Sequence, residues 1–122
     1  MSRHTRTVAV VAGLVFVGFG LWAFFDPRSF YEQLAEFPPY NRHFIHDIGA
    51  FQIAMGSVLL LATVWADSIA AALGGTAVGA IFHAVAHVQD RDLGGKSSDP
   101  WVFGVLAAVL AIAAVARRRG RR

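Results

Sequence analysis

Two histidines stand four residues apart in Ile81-Phe82-His83-Ala84-Val85-Ala86-His87-Val88-Gln89-Asp90, with an acid three residues further on. On a helix, positions 83, 87 and 90 share one face. A second polar group, His43, His46 and Asp47, stands at the start of another apolar run. Three kinds of chemistry compete for these residues. One is an interfacial polar network that satisfies groups hydrocarbon would leave unpaired. Another is a metal site, because neutral imidazoles with carboxylates suit zinc, copper or iron and His83/His87 have the helical spacing a bidentate grip needs. Haem held by two histidines is a narrower form of the same idea. The third is a proton-responsive group, since histidines beside an acid titrate near neutrality. Nucleophilic catalysis finds no support: Ser57 and Ser68 lie in apolar surroundings without a matching base, and no phosphate-binding loop occurs. The absence of cysteine excludes disulfides, thiolate metal sites and a cysteine nucleophile.

The elements that carry these residues follow from composition and its distribution. The 122 residues are 56% hydrophobic and only 16% charged, against about 25% charged in ordinary soluble domains. Mean hydropathy is +0.51. The apolar residues come in blocks, which points to spanning helices. Seven of the eleven basic residues lie at the two termini, so the net charge of +3 is a topology signal and excludes a nucleic-acid role.

Taken in order, the chain predicts an all-α integral membrane four-helix bundle in a single domain. The expected spans are 8–25, 44–65, 68–88 and 101–116. The first follows Arg3 and Arg6 and ends on Trp22, Phe24 and Phe25, an aromatic belt unlike a cleavage site. Asp26-Pro27 breaks it. Ser29 and Glu32 then fit a capping box, and Phe30, Leu34 and Phe37 recur at helical spacing before Pro38-Pro39. This predicts a short amphipathic helix lying in the membrane interface between the first two spans. Asn41 is the expected N-cap of the second span. Ala66-Asp67-Ser68 is a tight turn, making the second and third spans antiparallel neighbours. Ala71, Gly75, Gly79 and His83 recur every four residues, a smooth stripe for close helix packing. The polar run 89–100 is a loop, and the fourth apolar stretch of 16 residues is extended by Trp101 and the tail arginines.

Four spans put both termini on one side. Seven arginines lie there against Asp67 alone, while the other side holds four basic residues and seven acids. The positive-inside rule makes the termini cytoplasmic in a plasma-membrane protein. The tight turn also pairs depths: residues of the second and third spans whose numbers sum to about 133 lie level. His46 is then level with His87, and His43 with Asp90, while His83 lies about one turn deeper. The candidate metal ligands are therefore His46, Asp47, His83 and His87, with His43 and Asp90 near enough to join.

Asp26-Pro27-Arg28-Ser29-Phe30-Tyr31, Asn41-Arg42-His43-Phe44-Ile45-His46-Asp47-Ile48-Gly49-Ala50 and His83-x-x-x-His87-x-x-Asp90 together resemble the small DoxX-like four-helix membrane proteins of actinobacteria. Pro27-Arg28-Ser29-Phe30 is also similar to the Pro-Arg-Ser-Ala-Phe motif of an accessory membrane subunit of the mycobacterial cytochrome bcc–oxidase supercomplex, here without the alanine. The resemblance implies an integral membrane protein attached to respiratory machinery and carries over no catalytic residues. The leading expectation is thus a non-enzymatic accessory subunit, embedded in lipid and packed against oxidase or cytochrome subunits, needing no cofactor. The alternative is a metal- or haem-binding membrane protein that uses the His/Asp cluster with a divalent ion.

Overall fold

A computed structural model describes residues 3–35, 38–93 and 96–120. Helices are α1 (Arg3–Phe25), α2 (Pro27–Phe30), α3 (Arg42–Val64), α4 (Ser68–Gln89) and α5 (Asp99–Arg119). A π-helical turn, Tyr31–Ala35, continues α2, and a 3-10 turn, Arg91–Leu93, follows α4. No strand occurs among the described residues. α1, α3, α4 and α5 are each long and apolar enough to cross a membrane. The last is longer than its apolar stretch implies, because Asp99-Pro100 starts it and three arginines stay helical at its end.

The long helices pack in a row, α1 on α3, α3 on α4 and α4 on α5. Small residues set these contacts. A Cβ on Gly20 would stand 2.8 Å from the Gly49 carbonyl, and one on Gly56 would stand 2.6 Å from the Gly13 carbonyl, so α1 and α3 meet backbone to backbone. A Cβ on Gly75 would stand 2.5 Å from the backbone nitrogen of Val58, and Gly79 faces Ala54. Both α3–α4 pairs have numbers summing to 133, so the depth rule from the tight turn holds along the hairpin. In hydrocarbon, which offers no hydrophobic drive between helices, close backbone approach and dispersion would hold such helices together.

Helix ends explain the links. Asn41 caps α3 by accepting from the Phe44 amide at 3.1 Å. Asp67 caps α4 by accepting from the Ile69 and Ala70 amides. The same carboxylate takes Arg117 Nε at 2.8 Å, and the Arg118 guanidinium lies 4.2 Å over the Trp65 ring. Arg117 and Arg118 therefore anchor the end of α5 to the α3–α4 turn.

The segment after α1 departs from the expected capping box. Asp26, not Ser29, caps α2, accepting from the Ser29 amide at 3.2 Å. Pro27 explains the shift, since a proline is favoured in the first helical turn just after the cap. Glu32 bonds Arg28 instead of reaching back to an amide. Ser29 Oγ accepts from Trp22 Nε1 and Gln33 Nε2. Phe30 is buried against Trp22, Ala23 and Ile45, so this aromatic seats the segment on α1 and α3. Leu34 is exposed, and Phe37 lies outside the described residues.

The glycine contacts set a graded expectation. Gly56→Ala pushes a methyl into backbone atoms of α1 that cannot yield, and should cost roughly 1–3 kcal/mol. Gly18→Ala and Gly104→Ala meet nothing within 4 Å and should be neutral or stabilising by up to about 1 kcal/mol. Thermal unfolding in detergent checks the order; equal melting of all three would refute the close contact.

Candidate functional site

Every candidate residue lies where α3 begins and α4 ends. Asp90 is the best buried of them, its side chain fully enclosed. Its Oδ1 accepts from Arg42 Nε at 2.8 Å. Its Oδ2 lies 2.5 Å from His46 Nδ1 and 3.2 Å from His43 Nδ1. A carboxylate can only accept, so in these bonds both rings donate from Nδ1. Burial raises a carboxyl pKa, but the bonds and charge of His46, Arg42 and His43 outweigh it and hold Asp90 below the usual carboxylate range.

Asp47 organises the second half of the site. His43 Nε2 is 3.6 Å from its Oδ2, and His83 Nε2 is 3.3 Å from its Oδ1. That Oδ1 is buried and makes no hydrogen bond among the described residues, because the His83 approach has pair distance without hydrogen-bond geometry. His83 Nε2 and His87 Nε2 stand 3.2 Å apart. One ligand atom each from His43, Asp47 and His87 lie within 4.8 Å of one another. Phe103 of α5 stacks on both α4 imidazoles, with ring centroids at 3.9 Å from His83 and 5.0 Å from His87.

These distances have a chemical meaning. Two ligand atoms bound at 2.0–2.1 Å to one tetrahedral ion lie about 3.3 Å apart. The His83–His87 and His83–Asp47 separations match that value, and the unsatisfied Asp47 oxygen faces the group. Ligating histidines usually donate their other N–H to a carboxylate that fixes the ring. Asp90 stands in that position behind His43, and Asp99 Oδ2 is 3.8 Å from His87 Nδ1.

The expected ligand set is therefore divided. His43, Asp47 and His87 come together within 4.8 Å, and His83 adjoins them through its approaches to Asp47 and His87. His46 is turned away: its ring is buried, bonded to Asp90 and packed 5.1 Å from the Phe24 ring. Asp90 sits behind His43 and His46 as the acid that orients them. Asp99, Arg42 and Phe103 are not legible in the sequence as parts of the site. Asp99 reads as a loop residue before a proline, and Arg42 reads only as a flanking charge.

The chain matches no protein-family model, no curated protein and no solved structure. What defines its class is thus the architecture itself: an all-helical chain with four helices of membrane-crossing length and a His/Asp centre at one end.

Asp90→Asn removes the charge that gathers three cations or potential cations. The Arg42 end is open to water, so the expected loss rests on the His46 bond and is roughly 1–3 kcal/mol at neutral pH. A depressed carboxyl stabilises the fold above its unfolded pKa and loses that effect as pH falls through the folded value. Wild type and variant should thus converge in acid; a constant gap in melting temperature from neutral pH down to acid would contradict this.

Proposed function

We propose that this protein spans a membrane four times and holds a divalent transition-metal ion, zinc being the best fit, between His43, Asp47, His83 and His87. The observation that carries the reading is the buried Asp47 Oδ1, without a hydrogen bond among the described residues, 3.3 Å from His83 Nε2 and within a group of ligand atoms from His43, Asp47 and His87 that lie within 4.8 Å of one another. Imidazole and carboxylate donors suit zinc, copper and iron and make calcium or magnesium a poor match. Asp90 and Asp99 orient the ligating rings, and Phe103 covers them. The charge balance supports an arrangement with both termini cytoplasmic and the ion centre at the outer face of the plasma membrane.

Metal analysis of the chain, purified in mild detergent after growth with zinc, copper or iron, tests the ion. About one ion per chain is expected. His43→Ala/His87→Ala should lose it and His46→Ala should keep most of it. A chain without metal above background in all three growths would overturn the reading. Cysteines placed singly at positions 3, 35, 96 and 120 test the orientation: 35 and 96 should label from outside, 3 and 120 only after permeabilisation. Labelling of 35 and 120 from the same side would overturn the four-span topology.

A second reading keeps the expectation from the resemblance, an accessory subunit of a respiratory membrane complex. It draws on the row of helices, which leaves long apolar faces of α1 and α5 free, including Val11, Val15, Trp101, Val105, Val109 and Ile112. Stoichiometric oxidase or cytochrome subunits in the same purification would favour it.

A further inference from the structure

Beside the histidine centre lies a crevice that the metal reading does not use. α3 and α5 both pack on α4, and between them a half-open cavity of about 400 Å³ runs from His83 toward the middle of the helices. That volume falls within the range of small-molecule sites, about 300–1,000 Å³. Its floor is low because Gly79 faces Ala54 there, so no side chain fills the space. Its lips are Phe51, Phe103 and Leu106, and His83 is the one ionisable group on its wall.

The His83 ring has two ends with different surroundings. Nε2 faces His87 and Asp47, whereas Nδ1 makes no hydrogen bond among the described residues. A hydrocarbon chain alone would fill the crevice and offer no polar partner to the His83 imidazole on its wall. An anionic head is disfavoured by the Asp47 carboxylate 3.3 Å from the same ring. A neutral hydroxyl or carbonyl oxygen satisfies it. The aromatic faces at this end, Phe103 stacked on His83 and Phe51 with its centroid 5.9 Å from it, suit a planar ring more than a bare alkyl end.

We infer that this crevice binds a neutral, membrane-dissolved molecule whose ring head carries a hydroxyl or carbonyl oxygen, with the head at His83 and the tail along Ala54 and Leu106. The inference rests on the membrane-spanning part of the proposed function and not on a bound ion.

Radiolabelled 4-nonylphenol is a suitable probe, offered to the full chain in lipid nanodiscs. One saturable site per chain is expected. Nonylbenzene, which lacks the oxygen, and 4-nonylbenzoate, which is charged, should compete at least tenfold more weakly. Leu106→Trp fills the crevice from a half-exposed position, and should abolish binding while leaving melting temperature and metal content unchanged. His83→Ala should weaken binding about tenfold. Absent saturable binding, equal competition by nonylbenzene, or wild-type binding by Leu106→Trp would each overturn the inference; equal competition would mark the crevice as ordinary lipid packing. A chain that binds the phenol and holds no ion would sink the metal reading alone, and absence of the chain from carbonate-washed membranes would sink the membrane reading.

Discussion

A fully enclosed carboxylate at the end of α4 is the constraint on which the polar half of the molecule depends. Asp90 cannot remain charged there without partners, and its partners all come from the first turns of α3: Arg42, His43 and His46. Satisfying it therefore fixes the depth and rotation of α3 against α4. Once that rotation is set, His43 and Asp47 must face His83 and His87, because residues four apart lie on one face. The same setting aims the glycines of α3 at one neighbour and its small side chains at the other. Gly49 and Gly56 meet α1, while Ala54 and Val58 meet Gly79 and Gly75 of α4. The centre and the apolar packing are two ends of one register.

Depth along the helices is legible in the sequence, and direction around them is not. The turn at Ala66-Asp67 requires level residues to sum to about 133, and His43–Asp90, Ala54–Gly79 and Val58–Gly75 obey it. The same rule puts His46 level with His87, yet His46 points to Asp90 and Phe24. Helical rotation is the missing quantity, since a residue one position along a helix is turned by about 100°. Nor does apolar periodicity supply it, because these helices are apolar on nearly every side. Asn41 is legible as a cap because its chemistry is local. Asp26 escapes notice for a similar local reason: Ser29 and Glu32 form a plausible motif, but Pro27 draws the helix start to itself.

The two ends of the molecule solve the burial of charge in different ways. At the centre, one enclosed acid collects three basic or potentially basic side chains, of which Arg42 stays open to water. At the other end, Asp67 combines two backbone amides with Arg117 and remains partly open, while Arg118 rests on Trp65. Here a guanidinium suits the task better than an ammonium would, since it can pair and stack as well as carry charge. Asp99 begins α5 beside His87 and Arg117 ends it at Asp67, so α5 is tied at both extremities to groups belonging to the α3–α4 hairpin.

The shortness of the α3–α4 turn also bears on the order of assembly. Closing a loop costs entropy that grows with its length, and only Trp65, Ala66 and Asp67 separate these two helices. The hairpin is therefore the long-helix pair least opposed by chain entropy, and contacts near in sequence form early. α1 must close the longer connection through α2 and Tyr40, and α5 the one through Arg91 and Lys96. An early hairpin would already contain Arg42, His43, Asp47, His83, His87 and Asp90. Its Asp90 network would be in place before either flanking helix arrived, and α5 would then add Asp99 and Phe103 to a preformed template.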